Sequence, residues 1–305
     1  MELCVIFNPT AARGRAQGRL EQLRRSLGTR AEFRPTQHPG HGEELAYQAA
    51  QSGFAVVAAA GGDGTVHEVA NGILRAGRPE VRLGIFPLGS ANDYLHSLGN
   101  SSDSRPVEPQ PVRAVDVGLV RGDNGSDRYF VNTLGLGFSS AVTVESRRVR
   151  WLKGLPLYAL GFLRALWRDF VRPPMTITLE GETRQGPTLS LTVALGRREG
   201  SFVVAPQAQL DDGLFDYLLA GALTRWEVLR FMPTLAAGRP LPANHPKVWS
   251  GRCREVHVVS ETALRVHLDG EFFCQPEDGI HRLDITLLPR RLQVQTMTEG
   301  MRDEG

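Results

Sequence analysis

The sequence predicts two domains: an α/β nucleotide-binding domain on an open, mostly parallel sheet over residues 1–111, and a β-rich sandwich over residues 112–305. Three observations lead there. The first hundred residues alternate short buried-type apolar runs with amphipathic helical segments, the pattern of parallel strands joined by crossover helices. A polar, Pro-containing stretch, NSSDSRPVEPQP from Asn100 to Pro111, then breaks the pattern. Beyond it the chain becomes a series of short β-type runs with turn residues between them. A chain of 305 residues is long enough for two domains, each with its own core, and the last residues are able to pack back on the first domain.

In order, Leu3–Phe7 reads as a strand. Arg15–Leu27 reads as a helix with Leu20, Leu23 and Leu27 on one face, and Ala31–Thr36 as a second strand. Glu43–Ser52 is helical in pattern, and Ala55–Ala60 is a buried strand. Val66, Val69, Ala70, Ile73 and Leu74 keep the i, i+3, i+4, i+7, i+8 spacing of an amphipathic helix. Arg82–Phe86 makes a fourth strand and Ala91–Leu98 a short helix. In the second domain the strands are expected at Ala114–Val120, Tyr129–Thr133, Met175–Leu179, Leu189–Leu195, Leu214–Leu219, Glu255–Val259, Leu264–Leu268, Leu283–Leu287 and Leu292–Thr296. Two helices, Leu155–Val171 and Arg225–Ala236, interrupt them.

The composition, 41% apolar and 22% charged with 33 Gly and 19 Pro in no period, is that of a globular protein and excludes collagen, coiled coil and disordered tail. A net charge of +2 gives no reason to expect a nucleic-acid partner. Of the 35 basic residues all but Lys153 and Lys247 are Arg. Three cysteines, Cys4, Cys253 and Cys274, form no metal knuckle or disulfide framework, which points to a reducing cytoplasm. No apolar run approaches the ~20 residues of a spanning helix, and MELCVIFNP turns polar too soon for a secretory segment. Any membrane contact is therefore expected to be peripheral.

The most informative segment is Ala60-Gly61-Gly62-Asp63-Gly64-Thr65-Val66-His67-Glu68, between a buried strand and an amphipathic helix. Glycines there permit positive φ and close approach to a ligand, and the N–H groups opening the helix favour an anion. Thr65-x-x-Glu68 is also a capping box, and glycine suits any tight turn. Capping leaves Asp63 unexplained. A carboxylate inside an anion site makes sense if a divalent cation stands between it and a phosphate. Asn8-Pro9-Thr10, Thr36 and Pro87-Leu88-Gly89-Ser90-Ala91-Asn92-Asp93 follow the other strands and should leave the same sheet edge, where open α/β sheets bind ligands. Asn-Pro is a common turn, however, and Ser90-x-x-Asp93 could merely cap a helix. Neither a P-loop nor a Rossmann fingerprint is present.

The set NPTAARG, GGDGTVHEVANG, PLGSANDY, DDGLFD and HLDGE, in that order, resembles the diacylglycerol kinase catalytic-domain family, whose relatives include sphingosine and ceramide kinases and bacterial soluble lipid kinases. The GGDGT loop alone is shared with NAD kinases. The resemblance implies a NAD-kinase/diacylglycerol-kinase-like nucleotide domain, a lipid-substrate domain, and an active site in a cleft between them. It places Asn8, Pro9, Thr10, Thr36, Gly61, Gly62, Asp63, Gly64, Thr65, Glu68 and Ser90 at ATP and Asp93 beside the phosphates. Ser90 stands where Thr is usual, and Tyr94-Leu95-His96 where Phe-Ala-Arg is usual, so an expected cation is missing.

Leu210-Asp211-Asp212-Gly213-Leu214-Phe215-Asp216 gathers three carboxylates at a turn, as hard cations prefer; a solvated Asp-Gly hairpin explains it as well. The family pattern implies a Mg²⁺ on the Asp212 side chain and the Gln209 and Leu214 carbonyls, supported by Asp216. In His267-Leu268-Asp269-Gly270-Glu271 the resemblance implies the general base, Asp269 or Glu271, against the alternative of a type I′ hairpin. The histidines read as structural or surface residues.

From Glu145 to Arg172 seven basic residues (Arg147, Arg148, Arg150, Lys153, Arg164, Arg168, Arg172) face two acidic ones, among Trp151, Leu163, Trp167, Phe170 and other apolar residues. That is the composition of an interfacial helix, or of a core helix with a solvated basic face. The expectation is an ATP- and Mg²⁺-dependent lipid kinase, acting on diacylglycerol by default, at the inner face of the membrane. The alternatives are a NAD kinase-like phosphotransferase and an inactive lipid-binding regulator.

Overall fold

The computed structural model describes residues 2–9, 17–89, 92–99, 111–149, 152, 155–200, 202–239, 241–242 and 244–297. Thr10, Ser90, Arg150, Trp151, Lys153 and the polar stretch 100–110 lie outside the described residues. The chain forms two compact units, Met1–Asp116 with Arg290–Gly305, and Val117–Pro289.

The first unit contains β1 (Leu3–Phe7), α1 (Gln17–Leu27), β2 (Ala31–Pro35), α2 (His41–Gln51), β3 (Val56–Gly61), α3 (Asp63–Ala76), β4 (Arg82–Pro87) and α4 (Asp93–Ser97). Its strands lie in the order β2-β1-β3-β4, all parallel, as the alternation of strand and helix patterns predicts. The strands are short runs of Val, Ile and Ala buried on both faces, because helices cover both. On one face Leu20, Leu23 and Leu27 of α1 pack against Val5, Phe7, Ala58 and Ala60. At Gly72 in α3 a Cβ would stand 2.3 Å from the Glu43 carbonyl and 2.6 Å from the Ala46 Cβ, so glycine there lets α2 and α3 touch.

The chain continues with β5 (Arg113–Gly122), β6 (Asp127–Phe130), β7 (Thr133–Gly137), α5 (Phe138–Arg148), α6 (Leu155–Arg168), β8 (Pro174–Leu179), β9 (Glu182–Pro187), β10 (Ser190–Ala194), β11 (Arg198–Glu199), β12 (Phe202–Val203) and β13 (Phe215–Ala220). It ends with α7 (Arg225–Ala236), β14 (Val248–Cys253), β15 (Glu255–Ser260), β16 (Val266–Leu268), β17 (Glu271–Cys274) and β18 (Arg282–Thr296). In the second unit β14-β13-β10-β7-β16-β17 make one antiparallel sheet. The other layer pairs the first half of β18 with β15, β15 with β8, and β8 with β9, all antiparallel. β15 alternates buried and exposed residues strictly, the mark of a strand with one face on a core. α5 and α6 contribute Phe138, Ala141, Phe162, Ala165 and Leu166 to a core shared with Val228 and Phe231 of α7. The far end of β18, Gln293–Thr296, belongs to the first unit and lies parallel to β4.

Several elements depart from expectation. Tyr129–Thr133 is not one strand: β6 stops at Phe130 and β7 starts at Thr133, with a bend between. Leu283–Leu287 and Leu292–Thr296 are a single strand. The Pro289-Arg290-Arg291 interruption resembles a turn in sequence, yet the Arg290 N–H donates to buried Asp116 (2.7 Å) and the strand runs on. α5 and the strands β9, β14 and β17 were not expected at all. Their sequences carry no clean apolar period, and β9 is a largely exposed edge.

Candidate active site

Parallel register brings the carboxyl ends of the first four strands into line. Phe7 stands opposite both Pro35 and Ala60, and Gly61 opposite Pro87. The Thr36 N–H donates to the Phe7 carbonyl (2.9 Å) and the Leu88 N–H to the Gly61 carbonyl (3.0 Å). Half-buried Asn8, exposed Pro9, Thr36, Gly61, Gly62 and Gly89 therefore share one edge. In the order 2-1-3-4 the direction of winding reverses between β1 and β3, and a doubly wound sheet binds its ligand outside the strand ends at that point.

The glycines of this edge work by closeness rather than by positive φ, which corrects the sequence expectation. Gly61 ends β3, Gly62 has φ −97°, and Gly64 lies in the first turn of α3. A Cβ on Gly61 would meet Thr65 Oγ1 at 2.3 Å, and one on Gly89 would meet the Gly62 Cα at 2.4 Å. The loops after β3 and β4 thus touch backbone to backbone. Gly62 caps α3 without a side-chain hydrogen bond, so the opening turn presents main-chain amides, the usual setting for a phosphate.

The capping box also fails to form. α3 starts at Asp63, three residues before the periodic pattern, and Glu68 reaches away from its own helix. Its two carboxylate oxygens accept the Gly40 N–H (2.9 Å) and the Gly42 N–H (2.8 Å), so Glu68 caps α2. Asp63 Oδ1 accepts the Tyr94 N–H at 3.2 Å, tying the start of α3 to that of α4. Asp93, the first residue of α4, is only 6% exposed and follows Asn92, which holds a left-handed φ of 51°. Tyr94 and Leu95 are buried, so the departure from Phe-Ala-Arg leaves packing intact while removing a cation. This edge of the first unit brings Asn8, Thr36, Gly61, Gly62, Asp63, Gly64 and Thr65 together with Gly89, Asn92, Asp93 and Tyr94.

In the second unit Asp269 and Gly270 have φ of 52° and 86° and join β16 to β17 with Leu268 opposite Glu271. This is the two-residue hairpin with both central residues at positive φ. Asp269 nevertheless does more than turn the chain. Its carboxylate accepts three main-chain N–H groups, from Val131 (3.0 Å), Asn132 (2.8 Å) and Thr133 (2.9 Å), and so makes the bend that separates β6 from β7. Glu271 is instead partly exposed and among the described residues pairs with Arg147, whose Nη2 stands at 2.7 Å and also donates to the Gly270 carbonyl (2.6 Å). Arg147 is thus withdrawn from the set of membrane-facing cations expected from sequence. Beside the hairpin, buried His267 places Nε2 2.8 Å from Glu199 Oε1, a contact that no sequence spacing announces.

Asp212 and Asp216 flank the turn into β13. Asp212 Oδ1 accepts the Leu214 N–H (3.1 Å), and Gly213 has φ 75°. Arg252, paired with Asp216 across β13 and β14, lies 3.6 Å from Asp216 and 3.7 Å from Asp212. The second oxygen of each carboxylate is buried with no hydrogen-bond partner. Burial above all pushes the Asp216 carboxyl upward, Arg252 pulls it down, and the Asp212 charge raises it again. Asp212 Oδ2 faces Arg252 without a hydrogen bond and Asp216 Oδ2 has no hydrogen-bond partner among the described residues; carboxylate oxygens of this kind are donors that a hard cation such as Mg²⁺ takes. Gln209 is exposed on the approach to this turn.

A doubly wound sheet with a glycine-lined, acid-bearing edge, joined to an antiparallel sandwich with acidic turns, is the architecture of a two-domain kinase. Comparison with known proteins identifies which kind. Residues 2–119 match the diacylglycerol kinase catalytic domain, and residues 132–296 the YegS C-terminal NAD kinase beta sandwich-like domain. The chain is 34% identical over 256 residues to a probable YegS-like lipid kinase of Chromohalobacter salexigens, covering 81% of this chain and 79% of that one. It is 29% identical over 254 residues to a diacylglycerol kinase of Mycobacterium tuberculosis, covering 81% and 78%. A putative diacylglycerol kinase from Bacillus anthracis has the same fold, with TM-score 0.74 at 21% identity and 96% of each chain covered. This chain belongs to the diacylglycerol kinase catalytic-domain family.

Proposed function

We propose that this protein is an ATP-dependent lipid kinase that transfers the γ-phosphoryl group to a lipid hydroxyl, with diacylglycerol as acceptor and phosphatidic acid as product. The observation that carries the reading is Asp63, set at the opening of α3 beside the glycine contact of Gly62 with Gly89 and bound to the Tyr94 N–H. An acid at the mouth of an anion-binding helix has a purpose if cation-bound phosphates come there.

Phosphoryl transfer asks the protein to align donor and acceptor and to neutralise developing charge. The main-chain amides at the start of α3 hold the phosphates, with Asn8 and Thr36 at the same edge. Asp63 and Asp93 organise the charge around them. Glu271, held by Arg147, takes the proton of the acceptor hydroxyl; Asp269, saturated by three amides, keeps the hairpin in place. The bond from the γ-phosphorus to the bridging oxygen breaks, a phosphorus–oxygen bond to the lipid forms, and ADP leaves. Asp212 and Asp216, with the Gln209 and Leu214 carbonyls, would hold a divalent cation, and a Mg²⁺ bound with ATP would supply positive charge for the phosphates. Among the described residues no helix is long and apolar enough to cross a membrane, and the reaction is proposed to run at the inner membrane surface, reached from the cytoplasm.

The test is incubation with γ-labelled ATP and Mg²⁺ against fractionated lipids in one arm and NAD in the other, with mass spectrometry of the product. Label in phosphatidic acid is the expected result. Label in NAD, or in no lipid fraction, overturns the proposal.

A further inference from the structure

His267, the middle residue of β16, is fully buried, and its Nε2 stands 2.8 Å from Oε1 of Glu199 on β11. The ring Nδ1 and the Glu199 Oε2 are buried with no hydrogen-bond partner among the described residues. Room for the ring is built into the sheet: His267 is paired with Gly135 on β7, and a Cβ on that glycine would stand 2.3 Å from Nε2. An apolar residue would fill such a place without the cost of burying two ring nitrogens. The imidazole has a use there through what it touches, which is Glu199.

β11 needs such a hold. Among the described residues it pairs only with β12, in a ribbon of two residue pairs, Arg198 with Val203 and Glu199 with Phe202. A two-stranded ribbon of that length is marginal at best in water. It is tied at successive residues to the two flanks of the turn that carries Glu271. On one flank Asn132, whose N–H is one of the three taken by Asp269, donates from Nδ2 to the Arg198 carbonyl (2.8 Å). The Asn132 carbonyl accepts the Leu195 and Gly196 N–H groups (2.9 and 3.0 Å). On the other flank Glu199 meets His267, next to Leu268, whose partner across the hairpin is Glu271. His267 itself lies opposite Phe272, whose ring centre is 4.9 Å from the Arg147 guanidinium that binds Glu271. Water has little access to the contact, so parting imidazole and carboxylate strands a buried polar group on each, a loss larger than the gain of the contact itself.

We propose that His267 and Glu199 are a positioning pair: they seat the β11–β12 ribbon against the Leu268–Glu271 turn and so hold Glu271 in place for the acceptor hydroxyl. Neither side chain touches the reacting atoms in this role; the pair acts through the turn. The inference deepens the lipid-kinase reading and rests on it for its purpose, while the seating of the ribbon is measurable without turnover.

The experiment has two readouts on the full chain. The first is hydrogen exchange without nucleotide or lipid. In Glu199→Ala and in His267→Leu the amides of Leu195, Gly196, Val204 and Ala205 are expected to exchange roughly tenfold faster or more, with those of β13 unchanged. The second is transfer of label from γ-labelled ATP to diacylglycerol. Each variant should lower kcat by about tenfold or more at an unchanged KM for ATP, and the double variant no further than either alone. His267→Gln, whose amide still donates to Glu199, should keep most of the rate. His257→Gln, at an exposed histidine of β15 beside Asp284, serves as control and should behave like wild type in both readouts. Unchanged exchange in Glu199→Ala, a substitution outside the core, overturns the proposal. So do additive losses in the double variant, or a His267→Leu enzyme faster than His267→Gln, the sign of a ring that only fills space. Loosened amides in a protein that phosphorylates no lipid would remove the kinase reading and leave the seating. Unchanged amides in variants of an active kinase would remove the pair alone.

Discussion

Asp269 and Glu271 stand two residues apart and carry different loads. Three main-chain amides converge on Asp269, and bonds to a charged acceptor contribute about 1.5–3 kcal/mol each. Glu271 has an arginine and an open side. Glu271→Gln is expected to lower kcat by about 10²- to 10⁴-fold with little change in unfolding temperature. Asp269→Asn, which turns an amide toward N–H donors, is expected to destabilise the protein by about 2–4 kcal/mol in denaturant unfolding. A stable Asp269→Asn enzyme with lost turnover, beside a near-normal Glu271→Gln, would exchange the two roles. The sequence cannot separate them: HLDGE offers two acids and a hairpin signal, and the deciding contacts come from Val131 to Thr133, more than a hundred residues away. Glu68 teaches the same lesson. Its spacing from Thr65 spells a capping box, but the amides of Gly40 and Gly42 lie across the helix pair and take the carboxylate.

At the scale of elements, the turn before β13 makes a prediction that needs no catalysis. If Asp212 and Asp216 hold a divalent cation, Mg²⁺ raises the stability of the native state by mass action, by about 2.7 kcal/mol at a hundredfold excess over Kd. Calorimetry should show the unfolding temperature of wild type rising with Mg²⁺, and Asp212→Asn losing that response. A Mg²⁺ response unchanged in Asp212→Asn would place the cation elsewhere. Elements with a clean period were legible: β1, α3 and α7 lie where the pattern puts them, apart from the added first turn of α3. α5 was not. Its sequence, FSSAVTVESRR, is rich in Ser and Thr, and what makes it a helix is the packing of Phe138 and Ala141 into the core with α6. β9 and β14 have too few buried positions to show an alternation.

For the molecule as a whole, the alternation of patterns in the first hundred residues carried the parallel sheet and the edge at which the loops after its strands gather. The pairing of the last strand beside β4 was beyond it, because period shows that a strand exists and not which neighbour it takes. The GGDGT segment announced a tight strand-to-helix turn, while the reason for its glycines, the contact of Gly62 with Gly89, appears only when the residues after β3 and β4 are seen together. The central claim is that Asp63 organises nucleotide phosphates at that edge. It is tested most directly by comparing wild type and Asp63→Asn in transfer of label from γ-labelled ATP to diacylglycerol, with circular dichroism to confirm the fold. The account predicts a loss of about 100-fold or more in kcat at unchanged secondary structure; a folded Asp63→Asn protein turning over near the wild-type rate would contradict it.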